Sequence, residues 1–511
     1  MRSSRTFTIL LSITTVLVLC SCYRPVSRYE PWQAPAGQST AAPVEISSPT
    51  PIFQETPSKL VEQHTPTTPT PDPIRVLPTQ RSEPLDYYVK PGDTLAKIAL
   101  VHQVSVAQVI AENKLQNPDI IEVGQLLIIP PASANARGSG LKLIPDAELV
   151  YGPTAASFDV ALVVTSVNGY LAGYTDVIDG QLFTGAEVVQ RVADENSLNP
   201  RLLLAMLEYQ SGWVTNPAPN ESTLRYPMGR IDPWHQGLYS QMSWAANELN
   251  RGFYLWQRNL LAVWTLFDGS VVAIDPTINA GTAGLQYYLA LFYGKQGWDQ
   301  AVSEQGFVQV YRRLFGDPFA YSYEPLVPAD LSQPAFILPF EAGSTWSFTS
   351  GPHGGWNDGT PWSALDFAPP GEPLGCSRTT HPVVAIAAGE VIRSGNGAVV
   401  IDLDGDGIEQ TGWTVHYAHI DSQGRIEQGT RVNQGDPIGY PSCEGGFSTA
   451  THLHIARRYN GVWIAAFGDL PFVMDGWFAE SAGIEYDGYL IKNEQTVEAW
   501  DGQFDINQIG R

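Results

Sequence analysis

The stretch T-A-T-H-L-H-I-A, Thr449 to Ala456, sets two histidines two positions apart in a run that otherwise reads as a buried strand. Residues i and i+2 of a strand face the same side, so the spacing predicts that His452 and His454 project together. Around this run, from about Phe336 onward, lie short alternating stretches such as T-W-S-F-T-S-G, V-V-A-I-A-A-G-E-V-I and G-W-T-V-H-Y-A-H-I, parted by Gly, Pro, Asn and Asp. That pattern predicts a compact antiparallel β domain over 336–511. Six of the nine histidines fall in it, which makes it the place to look for chemistry.

A catalytic zinc needs three nitrogen or oxygen ligands and one open position. The candidates are His454, His353 in G-P-H-G-G-W, and Asp366 in W-S-A-L-D-F. A bare His-x-His is a weak signal; the combination of three is not.

At these residues the chain resembles the lysostaphin-type zinc endopeptidases, most closely their staphylolysin or β-lytic branch. Most of that superfamily carries its first histidine four residues before the aspartate, where this chain has Trp362. The β-lytic branch has it thirteen before, and 366 − 353 = 13. The resemblance continues through C-E-G-G-F-S-T-A-T-H-L-H, Cys443 to His454, and R-Y-N-G, Arg458 to Gly461, and spans roughly 336–470. It implies one zinc held by His353, Asp366 and His454. His452, and His419 in H-Y-A-H-I, are implied to be catalytic rather than ligating. The implied reaction is hydrolysis of peptide bonds in the stem or cross-bridge peptides of peptidoglycan. His416, three before His419, is expected to face the opposite side of its strand and to be structural; His381 is read as structural too.

The N-terminus bears on the compartment. Arg2 and Arg5 precede the apolar run Phe7 to Leu19, which suits a signal peptide over 1–21 and is short for a membrane span. Leu19-Cys20-Ser21-Cys22 resembles a bacterial lipobox, which implies lipidation at Cys22 and an exported protein anchored at the outer side of the membrane. Cys20 would leave with the signal, so Cys376 and Cys443 remain as a possible disulfide in an oxidising compartment. Residues 22–84 are crowded with Pro, Thr and Ser and read as an extended, disordered tether.

Order is expected next over 85–132. D-Y-Y-V-K-P-G-D-T-L-A-K-I-A, Asp86 to Ala99, predicts a strand, a Pro-Gly turn and a helix capped at Asp93 or Thr94. Val104 to Asn113 predicts a second helix, and Ile120 to Pro130 a closing strand. This βααβ order and the V-x-x-G-D-T-L and V-G-Q-x-L-x-I-P motifs resemble a LysM module, which implies binding of glycan containing N-acetylglucosamine.

The region 146–334 is helical in pattern. Val188 to Trp213 has apolar residues at helical spacing with a helix start at Asn199-Pro200, and Asp275 to Ala290 contains a later helix. These stretches resemble the lysozyme-like lytic transglycosylases, whose first motif ends in Glu-Ser-Gly. Here the place reads Gln210-Ser211-Gly212, and an amide has no proton to give, so the domain is expected to be degenerate. Glu208 lies about 200° around the helix from Gln210.

D-L-D-G-D-G, Asp402 to Gly407, has Asp402, Asp404 and Asp406 at the 1-3-5 positions of a calcium loop, but Trp413 stands where a bidentate Glu belongs. Calcium or a plain acidic hairpin are both open. The net charge of −23 argues against a nucleic-acid partner. Together the readings describe a multidomain α+β chain acting on peptidoglycan as a zinc peptidase. Two other functions compete: a catalytically inactive wall-binding activator of other hydrolases, and a bifunctional hydrolase whose middle domain is an active glycosidase.

Overall fold

A computed structural model describes residues 51–53, 75–132, 134, 136–371 and 375–511. The expected signal peptide, Cys22 with its lipobox, and most of the expected tether lie outside the described residues. Where parts of that tether are described, they are docked. The amides of Ile52 and Phe53 donate to the carbonyls of Arg313 and Leu314 at 3.0 Å, and Phe53 and Leu77 pack against the helical core. Arg75 donates to the Trp256 carbonyl at 2.8 Å. The reading as a free tether is thereby corrected for 51–53 and 75–84: an apolar side chain between prolines finds surface to bury, and proline needs no ladder partner.

The 85–132 module has the expected order. Strand β1 (Leu85–Tyr88) pairs antiparallel with β2 (Leu126–Ile129) around helices α1 (Leu95–Val101) and α2 (Val106–Asn113). Thr94 caps α1 by accepting from the Lys97 amide at 3.1 Å, and Ser105 and Gln108 form a capping box on α2. Asn113 clamps β2 with both ends of its amide, 2.7 Å from the Ile128 nitrogen and oxygen. The small core of this module also takes in Ala262 and Val263 of the helical domain. Gln103 ties the two together, its side-chain oxygen accepting from the Ala262 amide at 2.8 Å.

In the helical domain the expected break at Asn199-Pro200 separates α3 (Gly185–Asn196) from α4 (Pro200–Ser211). Ser197 ends α3 in a left-handed conformation, and Asn199 caps α4 with proline at its first position. Leu202 to Leu207 of α4 are all fully buried, as befits a helix wrapped on every side. Helix α5 (Leu238–Gln257) packs on α6 (Ala280–Ala290) at Gly252, where a Cβ would run into the Cβ of Tyr287 and the Cα of Gly284. Inside the domain Glu148 and Arg201, both fully buried, form a forked pair at 2.6 and 3.0 Å. Asn199 and Tyr311 also donate to this carboxylate.

The β domain is built on a nine-stranded sheet. Its strands are β3 (Thr345–Gly354), β4 (Trp362–Ala368), β5 (Gly389–Gly395), β6 (Ala398–Asp402), β7 (Trp413–Ala418), β8 (Arg431–Val432), β9 (Leu453–Tyr459) and β10 (Val462–Trp463). The four strands β11 (Val473–Met474), β12 (Trp477–Ser481), β13 (Gly488–Lys492) and β14 (Gln495–Glu498) make a separate sheet, and β15 (Gln508–Gly510) returns to the large one. The order in the large sheet is β8-β5-β6-β7-β9-β4-β3-β15, with β10 on β9. Register sets His454 opposite Asp366 on one side and Ala418 on the other, so these three share a face. The other face, with Tyr417, Ile455, Leu365 and Phe367, is the domain's own core.

Further along the His454 face, Ala364, Ala456 and Trp463 join the core of the helical domain. The helical domain therefore covers one end of this face and leaves the histidine end open. At the same boundary Arg393 and Arg458 pair with the buried Glu409, and Arg393 also donates to the Asp194 carbonyl at 3.4 Å.

Removing Arg201 alone strands the Glu148 carboxylate in a dry core, and breaking such a pair costs about 3–5 kcal/mol. Arg201→Met is expected to lower the urea midpoint of the helical domain accordingly, followed by tryptophan fluorescence. An unchanged midpoint would show that the pair does not hold the domain together.

Candidate metal centre and catalytic cleft

The strand register brings His353, Asp366 and His454 together at the edge of a cleft of about 1560 Å³. His353 Nε2 and His454 Nδ1 lie 3.3 and 3.2 Å from Asp366 Oδ1, and 3.0 Å from each other. The opposite nitrogen of each ring faces a backbone carbonyl. His353 Nδ1 is 2.8 Å from the Gly351 oxygen, and His454 Nε2 is 2.9 Å from the Gly355 oxygen. A carbonyl only accepts, so the protons of the neutral rings sit on those nitrogens. The inward nitrogens then carry lone pairs.

With both rings neutral, three acceptors thus meet in a buried spot, and Asp366 Oδ1 has no hydrogen-bond partner. Such a cluster calls for a cation. Protonation reflects the same demand. Burial opposes ionisation of Asp366, yet His353 and His452 outweigh it and hold the carboxyl well below its ordinary range. Burial pushes the His353 imidazole down, but Asp366 more than reverses this. For His454 burial prevails. Two imidazoles and a carboxylate, each imidazole oriented by a carbonyl, form a donor set that fits zinc.

His419 and His452 stand beside this set, their ring centres 4.5 Å apart. His419 Nδ1 donates to the Glu444 carbonyl at 2.9 Å and His452 Nδ1 to that of Ala450 at 2.8 Å. Both rings line the cleft. His452 Nε2 lies 3.7 Å from Asp366 Oδ2, on the side its spacing from His454 predicts. His419 lies just beyond β7 with φ +61, a strained backbone of the kind found at functional sites. Burial and the neighbouring His452 and His454 push its imidazole down to about 3, so it is neutral at ordinary pH.

His416 requires a correction. It lies opposite Ala456 in register and so on the same face as His454, not the opposite one. Parity fails because the chain leaves the strand at Ala418 and turns left-handed at His419. His416 is buried between the rings of Trp356 and Trp463, with neither nitrogen hydrogen-bonded. His381 does not line the cleft.

Several contributors carry no sequence signal. Tyr486 stacks on His353 at 4.6 Å. Helix α5 supplies Tyr239, Ser243, Trp244 and Asn247 as a wall of the same cleft. Cys376 and Cys443, by contrast, were expected as a possible pair, and they form a disulfide next to the Glu444 carbonyl that holds His419. Thr451 fastens the same loop, donating to the Ser377 carbonyl at 2.6 Å.

The other singled-out residues are accounted for locally. Glu208 accepts from the amides of Val214 and Thr215, from the Thr215 hydroxyl and from Arg313. Gln210 faces Tyr288 and Gly229. Asp402, Asp404 and Asp406 gather in one loop but cap its amides, including those of Asp404, Asp406, Gly407 and Ile408. Burial and Asp402 push the Asp404 carboxyl up to about 6. Trp413, at the twelfth position, begins β7.

Fold and site together define a metallopeptidase. In the carboxy-terminal domain, residues 370–466 match the model of peptidase family M23. Residues 87–130 match the LysM domain, and the helical region, likened above to the lysozyme-like fold, matches the LasA N-terminal domain over 142–329. The chain is 27% identical over 345 residues to Protease LasA of Pseudomonas aeruginosa (strain UCBPP-PA14), covering 63% of this chain and 75% of that one. A stretch of 60 residues is 45% identical to N-acetylmuramoyl-L-alanine amidase XlyA of Bacillus subtilis (strain 168), covering 12% of this chain and 20% of that one. Among solved structures, the M23 metalloprotease pseudoalterin from the deep sea is 22% identical over 33% of this chain and 97% of its own, with a TM-score of 0.28. The chain is thus a metalloendopeptidase directed to peptidoglycan, with its LysM module ahead of the catalytic domain.

The disulfide closes a loop of 67 residues, a crosslink worth about 4 kcal/mol in the chain-entropy picture. Replacing both cysteines with serine is expected to lower the denaturation midpoint and slow turnover while leaving metal content unchanged. Metal analysis beside denaturation checks this; loss of metal would mean that the bond supports the ligands rather than the His419 loop.

Proposed function

We propose that the chain is a zinc endopeptidase that cuts the stem or cross-bridge peptides of peptidoglycan. The observation that carries this reading is the convergence of three lone-pair donors, His353, Asp366 and His454, beside two further imidazoles whose outer nitrogens are pinned. When bound, zinc supplies Lewis acidity that polarises a scissile carbonyl and acidifies water.

The chain's own residues do the rest. His419 and His452 keep their Nδ1 protons on backbone carbonyls and turn Nε2 toward the cleft. An imidazole so fixed accepts a proton from the attacking water at Nε2 and afterwards carries it to the leaving amine. In its protonated form it also donates to the developing oxyanion. Having two such rings side by side lets one act as base while the other faces the oxyanion.

The competing reading as an inactive wall-binding activator finds no support in the site, because all five residues are present and arranged. A second glycosidase activity lacks an acid, since Glu208 is committed and Gln210 is an amide. The Leu19-Cys20-Ser21-Cys22 box supports anchoring through lipid at Cys22, and an acyl mass on the N-terminal peptide, lost in Cys22→Ser, tests it.

Digestion of purified peptidoglycan is expected to create new peptide amino termini, seen by mass spectrometry, and a chelator should stop it. If glycan ends appear instead, the assignment of the reaction is wrong. Among variants, His353→Ala and His454→Ala should lose the metal. His419→Ala and His452→Ala should keep it and fall in kcat by about 10²- to 10⁴-fold, the scale of a lost acid-base or oxyanion group. Zinc content measured beside turnover decides; a His419→Ala protein without zinc, or a His353→Ala protein with it, would require the roles to be redrawn.

A further inference from the structure

The ligand His454 depends on the Gly355 carbonyl, and Gly355 lies in the loop 354–361 between β3 and β4. This loop, G-G-W-N-D-G-T-P, carries three glycines, so its own sequence holds it weakly. Within it, the Thr360 hydroxyl and amide donate to the Asn357 carbonyl at 2.6 and 3.1 Å, and the hydroxyl accepts from the Trp356 amide at 3.3 Å. Bonds to the helical domain then set where this turn sits.

Asn247 on α5 uses both ends of its amide on this loop. Its oxygen accepts from the Gly359 amide at 2.7 Å, and its nitrogen donates to Asp358 Oδ1 at 2.8 Å. A flipped amide would lose both bonds, so the orientation is defined. Arg251, one turn along, donates to the same Asp358 oxygen at 2.7 Å. Gly359 is pressed so close that a Cβ there would overlap the Asn247 backbone oxygen. Beneath the loop, Gly355 rests against the Trp463 ring, and the Trp463 amide donates to the Tyr254 hydroxyl at 3.0 Å. Asn247, Arg251 and Tyr254 follow one another at i, i+4 and i+7, a single face of α5. Gly355 thus lies between a turn bonded to α5 at Asp358 and Gly359 and a tryptophan of its own domain whose backbone is bonded to the same helix.

We propose that Asn247 is a positioning residue of the metal centre: it locks the loop 354–361 onto α5 and, through the Gly355 carbonyl, sets the orientation of His454. This rests on the metallopeptidase reading above. On this view the helical domain is part of the machinery that keeps the metal.

The test uses the full chain loaded with zinc and follows transfer of the metal to a chromogenic chelator. N247A is expected to release zinc about 10- to 100-fold faster, the scale of a lost outer-shell partner. S197A removes another bond across the same domain boundary, from the Ser197 hydroxyl to the Gly461 carbonyl at 2.6 Å, away from the loop. It is expected to release zinc at the wild-type rate. The double variant N247D/D358N exchanges carboxylate and amide and restores both Asn247 bonds at the cost of the Arg251 bond to position 358, so its release should slow part of the way back toward wild type. Wild-type release by N247A, no recovery in the double variant, or equal acceleration in S197A would each overturn the proposal. A wild-type chain that holds no zinc would instead sink the metal reading itself, and this proposal with it.

Discussion

Four backbone carbonyls, those of Gly351, Gly355, Glu444 and Ala450, decide what the cleft can do. Each holds the proton of one imidazole on the side away from the cleft. Were any ring to turn over, it would present N–H where a lone pair is needed, and the cluster around Asp366 would close on itself through hydrogen bonds instead of gathering a cation. The remaining architecture can be read as the means of keeping those carbonyls still. The sheet fixes Asp366 and His454 by register, the disulfide and Thr451 hold the loop that carries Glu444, and packing against the helical domain restrains the loop that carries Gly355.

Much of this was legible in the sequence because strands and caps are short-range. The spacing of His452 and His454 foretold a shared side, and Asn199-Pro200 announced the start of a helix whose leucines fill the core. The thirteen-residue gap from His353 to Asp366 pointed to residues that neighbouring strands bring together, with His454 directly opposite Asp366. Of the two cap candidates in the first module, Thr94 is the one that caps its helix.

What the sequence concealed depends on tertiary approach. His416 obeys strand parity, but His419 does not, and counting between them misplaced one of the two. The carbonyls that orient the rings belong to residues whose side chains say nothing, two of them glycines. Phe53 and Leu77 look like strays in a proline-rich run until the surface that buries them is known. Tyr486 and the cleft-facing residues of α5 lie far along the chain from the histidines they face, and no local period marks them.

The shared core between the first module and the helical domain has a mechanical meaning. Ala262 and Val263 complete a hydrophobic cluster that the small module would otherwise leave unfinished, and Gln103 stitches the seam. Lys97, on α1, also reaches Glu485 at the rim of the cleft. A flexible linker would let the LysM module and the peptidase domain sample a wide volume, at an entropic cost for acting together. A welded seam removes that freedom. Module and cleft move as one tool, and the distance between them becomes a fixed length of the protein, like the throat of a punch.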